Sequence, residues 1–142
     1  MDSVDECVKK RLLRKITPSN EKSKSSIKIA EAKLENSKEL FKADFFNESI
    51  ISAYTSIFHS CRALLFKDGI QEKSHYATYI YIKENYSDKL SKELINSFYH
   101  YQLERHNILY GFEILEYSKD EAEEAIINAE CFLGKIKKVL GM

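Results

Sequence analysis

Residues 46–65 read FNESIISAYTSIFHSCRALL, and this stretch decides the fold because it is apolar on two neighbouring faces of a helix. One stripe comprises Phe46, Ile50, Ala53, Ile57, Cys61 and Leu64, and the neighbouring stripe comprises Tyr54, Phe58 and Leu65. Two adjacent stripes indicate contact with more than one partner helix. The pattern predicts a central helix over 45–68, with Asp44 as its N-cap and Gly69 in the left-handed conformation after its end.

Helical spacing also dominates the rest of the chain, and no period-2 strand pattern stands out. Further helices are predicted over 3–16, 21–42, 74–85 and 88–110, and a last one follows the capping box formed by Ser118 and Glu121. The predicted fold class is all-α, an antiparallel four-helix up-and-down bundle with additional short helices. We expect a single domain over 1–142, in which 1–20 form an N-terminal helical extension and linker.

Composition excludes several classes of protein. The chain has 142 residues, 22 basic and 22 acidic side chains, four glycines and one proline. These numbers argue against disorder, a turn-rich β sandwich and a glycine-rich phosphate loop. The three cysteines have no CxxC spacing, so neither a disulfide framework nor a zinc site is expected, and no cofactor is implied. The absence of a long apolar run predicts a cytoplasmic protein without a membrane partner.

Arg105 is the most informative polar residue, because it interrupts an apolar helical stripe between Tyr101 and Ile108. A buried guanidinium is costly unless it is paired or faces a wet cleft. Three interpretations stay open: an aliphatic stem that packs while the charged head reaches water, a functional cleft, or a dimer seam. His106 and Tyr110 follow Arg105, although an ideal helix turns Tyr110 roughly 140° away from it.

Three motifs in order resemble stand-alone prokaryotic HEPN proteins. The first is SAYTSIFHSCRALL over 52–65, the second is Gly69-Ile70 followed by Lys73-Ser74-His75, and the third is 105–110. The similarity extends from about residue 26 to the C-terminus. It implies a HEPN-like helical bundle that forms a homodimer, often encoded beside a minimal nucleotidyltransferase as a toxin–antitoxin-like pair.

The resemblance also has departures that bear on catalysis. Tyr110 stands where nuclease HEPN domains carry a catalytic histidine, and Phe112 stands where toxin-type relatives carry a modifiable tyrosine. In the nuclease relatives, arginine and histidine motifs paired across a dimer are thought to cut RNA. A tyrosine with a free pKa near ~10 is a poor acid or base for that reaction. Arg105, His106 and Tyr110 are therefore only candidate catalytic residues. The sequence favours a protein without enzymatic activity over an enzyme.

The predicted ligand-binding or dimer-cleft residues are Arg105, His106, Tyr110, His59, Arg62, His75 and Tyr54. Ordinary structural roles are the favoured interpretation for His59, His75 and Tyr54, and the basic cluster over 9–15 has the pattern of a solvated helix face. The first functional interpretation is a homodimeric binding module for nucleotide or RNA phosphate, with a nucleotidyltransferase partner. A metal-independent endoribonuclease toxin and a purely structural interaction protein are the alternatives.

Overall fold

The computed structural model describes residues 2–142 and has an all-α architecture with one small two-stranded sheet. Its elements in order are α1 (Val4–Lys9), β1 (Leu13–Lys15), α2 (Asn20–Lys42), α3 (Phe46–Asp68), β2 (Ile70–Glu72), α4 (His75–Leu90), α5 (Lys92–Tyr110) and α6 (Lys119–Val139). The predicted all-α bundle is confirmed. Helix α3 is central, since it packs against α2, α4, α5 and α6, as its two apolar stripes predict.

Buried serines join α2 to α3, where the sequence predicts only one apolar edge for α2. Ser37 Oγ donates to the carbonyl oxygen of Ser49 at 2.7 Å, and Ser56 Oγ donates to that of Ala30 at 2.7 Å. Ser23 Oγ donates across the same interface to Ala63 at 2.8 Å. Small hydroxyl side chains let the two helices approach closely while each buried polar atom keeps a partner.

The predicted helix over 3–16 is wrong beyond Lys9. The backbone at Arg11 has a positive φ of 61°, and the following residues form β1. Strand β1 pairs antiparallel with β2, and Leu13 lies opposite Glu72. Two backbone bonds extend the pairing, from Lys73 N–H to the Leu12 oxygen and from Ile16 N–H to the Gly69 oxygen. Strands of three residues are too short to show a period in the sequence, so the hairpin could not be recognised there.

Two predicted helix boundaries also differ from the structure. Asp44 is not the N-cap of α3, because Phe45 holds that position and Asp44 has a positive φ of 64°. Helix α4 continues to Leu90 instead of ending at 85, and α5 starts at Lys92 instead of 88. Ser91 separates the two helices with a φ of 74°, and its hydroxyl accepts from Leu94 N–H. A residue with a positive φ is usually glycine, asparagine or aspartate. Because a serine holds this position instead, the sequence does not indicate the break between α4 and α5.

Other local signals are confirmed. Gly69 closes α3 with a φ of 81°, and Ser118 and Glu121 form the predicted reciprocal capping box at the start of α6. No helix within residues 2–142 combines the length and apolarity that crossing a membrane requires. Helices α3, α4 and α5 meet around Tyr54, His75 and Phe98, where the aromatic side chains lie against one another.

Candidate functional site

The centre of the candidate site is a hydrogen bond between Tyr54 and His75. The Tyr54 hydroxyl oxygen lies 2.6 Å from His75 Nδ1, and the two rings stack with centroids 5.7 Å apart. Tyr54 is buried, and no other acceptor for its hydroxyl is found within residues 2–142. The hydroxyl therefore donates to Nδ1, which places the neutral imidazole's proton on Nε2.

Local structure fixes the orientation of His75. It is the first residue of α4, whose N-cap Ser74 accepts a hydrogen bond from Ala77 N–H at 3.0 Å. One face of the imidazole stacks on Phe58, with centroids 4.1 Å apart. Burial lowers the pKa of His75, and the positive charges of Arg105 and Arg62 lower it further. The ring is thus held neutral near neutral pH, with Nε2–H as its one donor.

Arg62 is held beside His75 by an ion pair with Glu72. Its Nε lies 2.6 Å from Glu72 Oε1, and the Glu72 side chain is only 8% exposed. The guanidinium also lies over the Phe66 and Phe58 rings, at 5.0 and 5.9 Å from their centroids. Strand β2 brings Glu72 to this position. The small β1–β2 sheet, which the sequence pattern does not predict, therefore positions a charged side chain of the site.

These side chains surround an open cleft of about 230 Å³, which we call the α3–α4 cleft. It is lined by Phe58, Arg62, Glu72, Lys73, Ser74 and His75. The only carboxylate in the lining, Glu72, is paired with Arg62. The cleft therefore presents positive charge and N–H donors, which favour an anion.

Arg105 approaches the same cluster from α5. Its guanidinium carbon lies 5.9 Å from the centroid of the Tyr54 ring, and the side chain is half-buried. Within residues 2–142, no carboxylate forms an ion pair with Arg105. The residue that breaks the apolar stripe therefore packs on an aromatic face and keeps an uncompensated charge next to His75.

His59 lies beside this cluster but does not line the cleft. Its ring meets Phe58 edge-on at 5.7 Å, and its Nδ1 is buried without a hydrogen-bond partner among the described residues. Burial lowers the pKa of His59 to about 4, with smaller contributions from the charges of Arg62, Lys33 and His75. His59 is thus a neutral neighbour of the cationic side chains at neutral pH.

His106 and Tyr110 lie apart from the cluster. Both are exposed, and their rings contact each other at 5.3 Å, one helical turn apart on α5. Of the seven residues predicted from sequence, the structure groups Tyr54, His59, Arg62, His75 and Arg105 and leaves these two outside. Adjacent positions on a helix diverge by ~100°, which explains why His106 does not follow Arg105.

Four residues that line the cleft are absent from the site predicted from sequence. The apolar pattern assigns Phe58 to the core, and no pattern marks Glu72, Lys73 or Ser74 as site residues. Their role depends on the β1–β2 hairpin, which places Glu72 against Arg62. A Lys-Ser-His sequence before a helix start gave the one available signal, since it puts a cation next to the histidine.

Comparison with known proteins identifies the family. The HEPN domain model matches residues 23–139. Two similar proteins of Methanocaldococcus jannaschii are named "Putative toxin MJ0605" and "Putative toxin MJ0142". The first is 29% identical over an aligned length of 126 residues, and the match covers 84% of this chain and 90% of the relative. The second is 34% identical over an aligned length of 119 residues, and the match covers 80% of this chain and 78% of the relative. Because the family model covers most of the sequence, the chain belongs to the HEPN domain family.

Proposed function

We propose that this chain is a homodimeric, toxin-like HEPN binding module that binds the phosphate of a nucleotide or of RNA. The observation that carries the proposal is Arg105, whose guanidinium packs on Tyr54 without a carboxylate partner in residues 2–142. An arginine held in this way has its planar donors pre-arranged for bidentate contact with phosphate. Arg62 and His75 add charge and an N–H donor in the adjoining α3–α4 cleft.

Electrostatics of His75 support an anionic ligand. Arg105 and Arg62 both lower the pKa of His75, so the ring lies in a positive potential. A phosphate group bound there would offset that potential and stabilise the protonated imidazole. Phosphate binding at this place should therefore be detectable in two ways, as an affinity and as a rise in the pKa of His75.

Exposed apolar side chains at the end of α5 support a second copy of the chain as partner. Leu109, Tyr110, Phe112 and Ile114 are exposed, the last two almost completely. A cluster of this kind at a chain surface is typical of a protein–protein interface. Because the cluster begins four residues after Arg105 and continues into the segment beyond α5, a dimer formed there would place the two arginines near a common seam.

A nucleotidyltransferase partner completes the proposal. It rests on the family resemblance of the sequence motifs and on the names of the two archaeal relatives, which describe them as putative toxins. Co-expression with the protein encoded by the adjacent gene tests this part. A stable complex with a nucleotidyltransferase supports the partnership, whereas a neighbour of another class contradicts it.

Binding of labelled mononucleotide and short RNA to the purified protein tests the phosphate site. We expect Arg105→Met to weaken binding at least ~10-fold, equivalent to about 1.4 kcal/mol, and the wild-type affinity to fall as salt rises. Lys42→Met is the matched control, because Lys42 is an exposed cation at the end of α2. Equal affinities for wild type and Arg105→Met would contradict the site.

Histidine titration by NMR separates a specific site from general attraction. Arg105→Met alone is expected to raise the pKa of His75, because one of the charges that lower it is removed. Added nucleotide is expected to raise the pKa in wild type and to have a smaller effect in the variant. The resonance is assigned with His75→Gln.

Incubation with RNA in EDTA tests the endoribonuclease alternative. Under the proposal, RNA stays intact at high protein concentration. Cleavage that disappears in both Arg105→Ala and His106→Ala would support the metal-independent nuclease instead.

A measurement of the oligomeric state tests the proposed homodimer. A protein that is monomeric at micromolar concentration would contradict it.

A further inference from the structure

A second basic cleft lies beside the candidate site, at the N-terminal hairpin. It has a volume of about 420 Å³ and is lined by Val8, Arg11, Leu13, Arg14, Lys15 and Lys73. Its floor is apolar, and four of its six lining side chains are cationic. We call it the hairpin cleft. Most of it precedes residue 23, where the match to the family model begins.

Lys73 lines both the hairpin cleft and the α3–α4 cleft. Its backbone N–H donates to the Leu12 oxygen at 2.8 Å, so the pairing of β1 with β2 holds the two clefts next to each other. His75 and Arg62 lie on one side of Lys73, and Arg11, Arg14 and Lys15 lie on the other. The two clefts are therefore parts of one continuous cationic surface.

The charges of the hairpin cleft are not neutralised within the described chain. Arg11, Arg14, Lys15 and Lys73 are all exposed, and none forms an ion pair with a carboxylate in residues 2–142. The nearby Lys10 behaves differently, since it contacts Asp2 at 3.6 Å. Four uncompensated cations around one cleft create a local positive potential in a chain whose formal net charge is zero.

We propose that a single RNA strand follows this surface, with one phosphate at Arg105 and His75 and further phosphates at Lys73 and the hairpin cleft. This inference rests on the proposed phosphate site and specifies its ligand as a polynucleotide longer than a dinucleotide. Continuity with that site favours a phosphodiester chain over an acidic peptide. No aromatic ring lines the hairpin cleft, so it contacts the backbone without stacking on bases and without sequence preference.

The test compares a dinucleotide with a dodecanucleotide of RNA in wild type and in the triple variant Arg11→Gln/Arg14→Gln/Lys15→Gln. We expect wild type to bind the dodecanucleotide more tightly than the dinucleotide. The triple variant should lose at least ~10-fold in dodecanucleotide affinity, and its salt slope should fall by about 2 for three lost phosphate contacts. Its affinity for the dinucleotide should not change.

The matched control is Lys24→Gln/Lys28→Gln/Lys135→Gln, which removes the same charge from exposed lysines that line neither cleft. Circular dichroism verifies that both triple variants are folded, and Lys73→Gln provides a single substitution that leaves the hairpin side chains intact. We expect Lys73→Gln to weaken binding of the dodecanucleotide as well.

Each remaining outcome contradicts a different statement. If Arg105→Met weakens binding of both RNAs while the triple variant matches wild type, the path along the hairpin is wrong and the phosphate site stands. If wild type binds neither RNA, the proposed function fails as well. If a poly-glutamate peptide binds wild type more tightly than the dodecanucleotide and the triple variant loses it, the hairpin cleft is a protein-docking surface and the RNA path is overturned.

Discussion

The hydroxyl of Tyr54 lies 2.6 Å from Nδ1 of His75, and this bond ties the middle of α3 to the first residue of α4. It also sets which nitrogen of His75 carries the proton, because the buried hydroxyl donates its own hydrogen to Nδ1. Burial raises the pKa of Tyr54, so the phenol stays neutral and remains a donor. A structural bond thereby determines the donor that the cleft presents.

Replacement of Tyr54 by phenylalanine tests this bond. Tyr54→Phe keeps the stacked ring and removes the hydroxyl, which leaves His75 Nδ1 without its partner. We expect a loss of about 1–2 kcal/mol in the free energy of unfolding, measured by urea denaturation. Tyr99→Phe is the control, because its ring also stacks on a neighbour while no hydrogen bond of its hydroxyl is found within residues 2–142, and it should change stability by less than about 0.5 kcal/mol. Equal effects of the two substitutions would show that the bond adds nothing to stability.

Removal of the carboxylate from Glu72 tests the ion pair that positions Arg62. In Glu72→Gln the guanidinium loses its partner at a place where the Glu72 side chain is only 8% exposed. We expect a destabilisation of about 2–3 kcal/mol, because a largely buried charge is left unpaired.

Glu39→Gln is the matched control for this ion pair. Glu39 pairs with Lys42 at 3.3 Å, but both side chains are about 70% exposed, at 69% and 71%. Exposed pairs contribute little, so the control should stay within about 0.5 kcal/mol of wild type. Thermal or urea unfolding that ranks the two substitutions in the opposite order would refute the structural role of Glu72.

The dependence of stability on pH follows from the two half-buried histidines. His59 and His75 have pKa values lowered by folding, His59 to about 4. As pH falls from the unfolded value near 6.5, the unfolded chain takes up these protons before the folded chain does. The free energy of unfolding should therefore decrease from pH 6.5 towards pH 4.

Single substitutions assign this slope to its source. We expect His59→Gln to flatten the decrease of unfolding free energy between pH 6.5 and pH 5, and His75→Gln to flatten it as well. Urea denaturation at several pH values measures the slope above the range in which carboxylates titrate. A slope that is identical in wild type and both variants would mean that neither histidine is desolvated on folding.

The parts of this fold that depend on local sequence are predictable, and the parts that depend on distant pairing are not. Helical spacing predicts α3 and α6 because each buries one continuous set of apolar side chains. The buried serines of α2 could not be identified in this way, since Ser37 has its partner at Ser49 on another helix. The hairpin escaped detection because its pairing joins Leu13 to Glu72 across 58 intervening residues.

The residues of the candidate site also differ in whether local sequence predicts their position. His59 and Arg62 are three residues apart on α3, so helix geometry alone places them on the same side of that helix, ~60° apart. Arg105 was recognisable as a charge in an apolar stripe, but its position over Tyr54 requires the packing of α5 on α3. The role of Glu72 depends on the hairpin and therefore could not be read from any local pattern.

Gly69 ends α3 and lies against Ile16 and Pro18, which precede α2. A substitution at Gly69 is therefore a sensitive test of stability. Its φ is +81°, and a Cβ built there would lie 2.6 Å from the Ile16 oxygen and 2.9 Å from Pro18 Cγ. Gly69→Ala therefore adds left-handed strain of about 1–2 kcal/mol to a backbone clash that only a shift of the hairpin relieves. We expect a loss of at least about 2 kcal/mol in unfolding free energy.

Gly134→Ala is the opposite case on the same chain. Gly134 lies inside α6, and nothing is found within 4 Å of a Cβ built there. Alanine restricts the unfolded chain and favours the helix, so this variant should gain up to about 1 kcal/mol. Urea denaturation measures the change in unfolding free energy of both variants. Because each substitution adds the same methyl group, changes of opposite sign would reflect the backbone conformation and surroundings of each glycine, not side-chain size. Destabilisation by Gly134→Ala, or tolerance of Gly69→Ala, would contradict the left-handed turn that holds β2 against the N-terminal segment.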